Sequence, residues 1–146
     1  VLNSFKQIER VEWDTLLFFF GILFAVGGLG VMGYLAMASE YFYVGLGPTV
    51  ANIAVGVMSA VVDNIPVMFA VLTMDPAMSH GQWLLVTLTA GVGGSLLSIG
   101  SAAGVALMGQ APGQYTFFSH LKWSWAIALG YAASIATHLF INASLF

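Results

Sequence analysis

The sequence contains no cysteine and very few charged residues. Without cysteine, the chain can form neither a disulfide framework nor a thiolate metal site. Its three lysine and arginine residues are too few to neutralise a phosphate backbone, which excludes nucleic acid as a partner. Only 6% of the residues are charged and 60% are hydrophobic, whereas soluble domains carry about 25% charged residues. The composition therefore predicts an integral membrane protein with the lipid bilayer as its partner.

The distribution of apolar residues predicts an all-α membrane protein. Because the sequence begins with Val1 rather than Met, we also expect it to be a piece of a longer protein. The expected segments are an interfacial amphipathic stretch over 1–14, a transmembrane helix over 15–38, a re-entrant helical hairpin over 41–74 with its tip at 62–66, a discontinuous transmembrane helix over 82–108 with its break near 93–104, and a transmembrane helix over 123–146.

Residues 41–74 are predicted to form a hairpin because of their length. They are too few for two membrane spans and too many for one, since a span needs about 20 residues. A carboxylate and a proline near the middle favour a non-helical tip surrounded by protein or water. Only if this segment enters and leaves on the same side do Lys6, Arg10 and Lys122 share the cytoplasmic side, as the positive-inside rule prefers.

The middle of segment 82–108 is a poor helix. Residues 91–104 include five glycines and three serines, and each glycine costs about 1 kcal/mol in a helix interior. An unwound centre frees carbonyl and hydroxyl oxygens, which is how many transporters hold ions near the midplane. We therefore predict that Ser95, Ser98 and Ser101 bind or position an ion. The alternative is that these small residues only allow helices to pack closely.

Asp63 is the strongest candidate for a functional carboxylate, because it lies well inside an apolar segment, where an ionised group is costly. A carboxylate at a hairpin tip can alternate between a proton and a hard cation, so we assign proton and ion coupling to Asp63 and Asn64. Ser59 adds a further oxygen. The expected ligands of a sodium ion, which prefers oxygen, are Asp63, Asn64 and Ser98. The structural alternative is that Asp63 or Asn64 caps the second hairpin helix.

The three histidines are weaker candidates. His138 lies inside the last predicted span and could relay protons, although a hydrogen-bonded packing role explains it equally well. His80 and His120 fall in predicted loops, where a solvated side chain is the simpler interpretation.

Four stretches of the sequence resemble NhaD-type sodium/proton antiporters of the ion transporter superfamily. The joint occurrence of a DNIP tip and a glycine-serine break, in this order, makes the resemblance specific. It covers nearly the whole chain and rests on WDTLLFFFGILFAVGGLG (13–30), VVDNIPVMFAVL (61–72), GGSLLSIGSAAGVALMG (93–109) and HLKWSWAIALGYAAS (120–134).

The resemblance implies a fold of two inverted repeats, each with a re-entrant hairpin and a discontinuous helix that meet near the midplane. This chain would be the second, C-terminal repeat, and its partner would be the missing N-terminal repeat, with a homodimer as a further expected assembly. Asp63 and Asn64 match the tip of the family's hairpin, and the three serines match its helix break.

The implied function is sodium or lithium export in exchange for protons, across the bacterial inner membrane, by a multi-pass protein that is not an enzyme. The resemblance implies no cofactor, and it implies that sodium is the transported substrate. Three rival functions remain open at this point. They are transport of a dicarboxylate or arsenite-type anion on the same fold, intramembrane proteolysis with Ser101 as nucleophile and His138 as base, and a non-transporting membrane subunit.

Overall fold

The computed structural model describes residues 13–146, apart from the side chains of Asp14 and Thr15. This part of the chain is helical and contains no strand. Of the amphipathic segment predicted for 1–14, only the last two residues fall within it. The eight α-helices are α1 (Trp13–Val31), α2 (Tyr34–Ser39), α3 (Pro48–Met58), α4 (Asn64–Met74), α5 (His80–Gly93), α6 (Ala102–Gln110), α7 (Phe117–Leu121) and α8 (Ser124–Ile141). A π-helical turn over Glu40–Gly45 continues α2, and a 3₁₀ turn over Ala143–Leu145 follows α8.

A sharp bend divides the segment predicted as one helix over 15–38. The first helix ends at Val31, and Gly33 then adopts a left-handed conformation with φ of 82°. Glycine adopts this conformation readily because it has no Cβ atom. The chain beyond it runs at 82° to α1, so α2 packs across α4 instead of prolonging the first helix.

The segment predicted as a hairpin contains two short apolar helices, α3 and α4, of 11 residues each. At about 1.5 Å per residue, each is roughly 16 Å long. The connection covers residues 59–63 and so lies earlier than the predicted tip at 62–66. The difference arises at Pro66, which sits in the first turn of α4, where a missing backbone N–H leaves no helical hydrogen bond unmade.

Helix α3 lies along α5 at very close range. A Cβ atom added to Gly93 would collide with the carbonyl group of Gly56, so glycine at both positions permits this contact. Buried polar groups fix the relative position of the two helices: Thr89 donates to the carbonyl oxygen of Asn52 at 2.8 Å, and the Asn52 amide donates to Gln82 Oε1 at 3.0 Å. The tip after α3 and the break after α5 are therefore held at the same level.

Helix α8 also packs against α5. Its Tyr131 hydroxyl donates to the carbonyl oxygen of Ile53 at 2.9 Å, which ties α8 to α3 as well. Leu85, Tyr131 and Ile135 form the buried apolar cluster between these helices.

One helix in the described part of the chain, Ser124–Ile141, is long and apolar enough to cross a membrane by length and composition, and the bent pair formed by α1 and α2 adds a second if it counts as one span. Large apolar side chains on these helices are exposed, among them Phe24 on α1 and Phe140 on α8. Exposed apolar surface of this kind calls for lipid or a protein partner.

Candidate functional site

The Asp63 carboxylate links the tip to the helix break. Its Oδ1 accepts a hydrogen bond from the backbone N–H of Ile65 at 3.0 Å and so caps α4. Its Oδ2 accepts one from the backbone N–H of Ala102, also at 3.0 Å, at the start of α6. Helix N-termini carry free N–H groups and partial positive charge. The negative charge of Asp63 is therefore stabilised by two helices whose starts are 38 residues apart in the sequence.

A cavity of about 660 Å³ opens beside this carboxylate. Asp63 supplies the charge in its lining, and the other described lining residues are apolar, among them Phe18, Ile99 and Ala102. Asp63 itself is half-buried. The carboxylate is thus accessible to a small ion while it stays attached to both helices.

The backbone of the tip lies directly on the backbone of the break. A Cβ atom at Gly100 would come 2.5 Å from the carbonyl oxygens of both Ser59 and Ala60. The Ser59 side chain is fully buried and donates to the carbonyl oxygen of Ala90, in the last turn of α5, at 2.8 Å. The same carbonyl oxygen also accepts from the backbone N–H of Gly94 at 3.2 Å, and the Ser59 hydroxyl oxygen lies close to Gly94.

The three serines of the break have three different surroundings. Ser101 is the N-cap of α6, and its Oγ accepts from the N–H of Gly104 at 3.1 Å. Ser98 is only 2% exposed and donates to the sulfur of Met108 at 3.5 Å; a thioether is a weak acceptor, so this hydroxyl holds a weak bond. Ser95 is exposed.

The structure does not gather the three predicted sodium ligands around one cavity. Asn64 lines a separate cavity of about 470 Å³, together with Thr87 of α5, whereas Asp63 lines the first one. Ser98 belongs to neither lining. In the part of the chain that the structure describes, no three histidine, aspartate or glutamate side chains cluster around a point that could hold a metal.

Comparison with known proteins places the sequence of this chain in a transporter family. The sequence profile of the citrate transporters (CitMHS) matches residues 2–91. The chain belongs to this family. No solved structure matches it.

The relatives of this chain include several sodium/proton antiporters. It is 70% identical over 144 residues to the Na(+)/H(+) antiporter NhaD of Alkalimonas amylolytica, covering 99% of this chain and 30% of that protein. It is 67% identical to NhaD of Halomonas elongata, again over 99% of this chain and 29% of the relative. Sodium/proton antiporter 1 of Arabidopsis thaliana is 38% identical, covering 94% of this chain and 24% of that protein.

These matches confirm the resemblance to NhaD-type antiporters and the interpretation as a membrane protein. The chain spans about 30% of the length of the NhaD relatives it matches.

The His138 side chain links α8 to the start of α5. His138 is 7% exposed. Because a carbonyl oxygen can only accept, Nε2–H donates to Gly81 at 3.0 Å, and Nδ1 accepts from the Asn142 amide at 2.9 Å. Gly81 lies twelve residues before the end of α5, or roughly 18 Å along that helix.

This position gives no support to a catalytic pair of Ser101 and His138. A serine nucleophile needs its base within hydrogen-bond reach. The Oγ of Ser101 lies at the break, whereas both ring nitrogens of His138 are engaged at the other end of α5.

Sequence reasoning missed one set of residues at the break. His120 was interpreted as a solvated loop side chain, but it is half-buried and its Nε2 lies 2.9 Å from the carbonyl oxygen of Ser95. Ser124, the first residue of α8, contacts the neighbouring carbonyl of Leu96. No local pattern signals contacts between residues that are 25 and 28 positions apart.

Proposed function

We propose that this chain is part of a secondary antiporter that exchanges sodium or lithium for protons across the bacterial inner membrane, with Asp63 as the group that carries either the proton or the cation. The observation that carries the proposal is the bridging position of the Asp63 carboxylate, between the starts of α4 and α6 and at the mouth of a cavity. The identity to NhaD antiporters supports it.

The hydrogen bonds of Asp63 leave room for an ion. A carboxylate has about four lone-pair sites on its two oxygens. Each oxygen accepts one backbone N–H, which leaves a further site on each for a proton or a cation. The two helix starts stabilise the charge when neither is bound, so the carboxylate stays in place through both halves of an exchange.

Neutral oxygens of the tip and the break suit a hard cation. The carbonyls of Ser59 and Ala60 lie against the break at Gly100, and the Ser98 hydroxyl has only a thioether as its partner. Sodium prefers oxygen ligands of this kind. Asn64 and Ser98 remain proposed ligands that would join Asp63 through a rearrangement of the tip, since Asn64 lines a different cavity.

We further propose that α3 and α4 form a re-entrant hairpin and that α5 and α6 are the two halves of a discontinuous helix, as in the second of two inverted repeats. Each hairpin helix is roughly 16 Å long, about half the hydrocarbon thickness of a bilayer. Their ends at 59–63 meet the 94–101 break directly. The partners of this chain would then be the lipid bilayer, the first repeat and a second copy of the protein.

The second candidate function is anion transport, which the family's description as citrate transporters favours. Anion sites use the free N–H groups of half-helix N-termini. Here the Asp63 carboxylate already accepts hydrogen bonds at the starts of α4 and α6, and its charge would repel an anionic substrate. This arrangement argues for a cation.

The test is Asp63→Asn in the full-length protein, reconstituted in vesicles with an imposed pH gradient. Asparagine keeps an oxygen that can cap α4, but it can no longer accept from both helices or exchange a proton. We expect loss of sodium-dependent proton movement. Asp75→Asn is the matched control, because Asp75 is exposed in a left-handed turn that asparagine tolerates.

Three outcomes of this experiment are informative. Normal rates in Asp63→Asn would refute the carrier assignment. Collapse of the gradient by a dicarboxylate instead of sodium, in the unmodified protein, would establish the anion alternative. Loss of activity in Asp75→Asn to the same extent would show that the effect is not specific to the bridging carboxylate.

A further inference from the structure

Two side chains from the α7–α8 corner bind consecutive carbonyl groups of the helix break. His120, in the last turn of α7, is bonded through Nε2 to the carbonyl oxygen of Ser95 at 2.9 Å. Ser124, the first residue of α8, donates its hydroxyl to the carbonyl oxygen of Leu96 at 2.7 Å. Both carbonyls lie just after the end of α5 at Gly93.

The His120 ring is itself held in one orientation. Since the carbonyl oxygen of Ser95 can only accept, Nε2 carries the hydrogen, and Nδ1 accepts from the Tyr115 hydroxyl at 2.6 Å. The two rings also meet edge to face, with their centroids 5.8 Å apart. The start of α7 is fixed by a capping box between Thr116 and Ser119. The donor is therefore placed by its own supporting contacts.

These bonds act where the backbone has no helical partner. The last carbonyls of a helix lack intrahelical donors, and the carbonyls of an unwound segment can turn either to a neighbouring element or to an ion. His120 and Ser124 direct two of them towards the α7–α8 corner. This fixes the backbone that leads into Ser98 and Gly100, and Gly100 is the residue that rests on the tip.

We propose that His120 and Ser124 are positioning residues of the ion site. The inference rests on the proposed function: the two side chains do not touch the ion but hold the 94–101 break in the conformation that faces Asp63. Both side chains reach the break from the α7–α8 corner, 25 and 28 residues further along the chain than the carbonyls they bind.

The experiment measures sodium-dependent proton movement by the full-length protein in vesicles, as a function of sodium concentration. We expect His120→Ala to raise the sodium concentration for half-maximal rate by roughly three- to ten-fold, the loss that follows from one neutral hydrogen bond. His120→Gln, whose side-chain amide can reach the same carbonyl, should stay within about two-fold of the unmodified protein. Ser124→Ala should shift the half-maximal concentration in the same direction as His120→Ala.

His80→Ala is the matched control, because His80 is an exposed histidine at the start of α5, at the opposite end from the break. We expect no shift in its half-maximal sodium concentration.

The outcomes separate a positioning role from a purely structural one. Equal losses in His120→Ala and His120→Gln would overturn the assignment, because the donor would then be irrelevant. An unchanged half-maximal concentration with only a lower maximal rate, in both His120→Ala and Ser124→Ala, would overturn it as well. If the unmodified protein moves no protons in response to sodium, the proposed function fails and the assignment fails with it; normal behaviour of that protein beside an unshifted His120→Ala sinks the assignment alone.

Discussion

The contact between the tip and the break predicts a strong effect of one added methyl group, in Gly100→Ala. The new Cβ atom would lie 2.5 Å from the carbonyl oxygens of Ser59 and Ala60, whereas ordinary contact begins near 3.4 Å. The tip and the break would therefore have to separate by about 0.9 Å, because neither partner is a flexible side chain that can move aside.

Overpacking of this kind costs about 1–3 kcal/mol. If the ion-bound conformation bears about 1.4 kcal/mol of that cost, the apparent affinity for sodium falls by about tenfold. A displacement of this size between groups that act together is large on the scale of functional geometry. The expected readout is a raised half-maximal sodium concentration in vesicles containing the full-length protein.

Gly109→Ala is the control for this experiment. Gly109 lies within α6, and a Cβ atom there would meet nothing within 4 Å. Alanine in a helix interior is favoured over glycine by up to about 1 kcal/mol, so this variant should be as active as the unmodified protein and at least as stable. If Gly100→Ala matches Gly109→Ala in both half-maximal sodium concentration and thermal midpoint, the tip and the break are not in contact in the functioning protein.

Two further substitutions test the parts that hold the site together. Ser101→Ala removes the cap of α6 and should destabilise its first turn by about 1 kcal/mol, seen as faster hydrogen exchange at Gly104; Ser101→Asn, which can still cap, should restore protection, and equal exchange in both variants would contradict the capping role. Gly93→Ala places a methyl group against the Gly56 carbonyl and should lower the thermal midpoint in detergent by several degrees. Gly91→Ala is the control and should leave the midpoint unchanged, because the space around Gly91 is open. Identical midpoints in the two variants would contradict the close approach of α3 and α5.

The ends of the helices are the part of the fold that the sequence predicts most directly. Glycine and serine are unfavourable in a helix interior, and the chain leaves its helix at Gly93 and resumes one at Ala102. The position of Pro66 differs from the prediction, which places this residue in the connection at 62–66. A proline in the first turn is compatible with a helix, and α4 begins two residues before it.

Contacts between distant segments cannot be predicted from local sequence patterns. The sequence allows Asp63 to cap α4 through its own neighbours, and this local bond is present. Its second bond, to Ala102, depends on how two distant segments pack. The bend at Gly33 is an intermediate case, because the glycine permits a left-handed turn. Four further glycines in the same predicted helix remain helical, so composition alone does not single out Gly33.

The attachment of α6 has a mechanical consequence. This helix has no buried residue, and the carboxylate of Asp63 holds its first N–H group. A carboxylate binds such a group more strongly when it is charged than when it is neutral. If Asp63 gains a proton during exchange, its hydrogen bond to the start of α6 weakens, and when it loses the proton the bond strengthens again. The mobility of this exposed helix would therefore change with the protonation state of a carboxylate at its first residue.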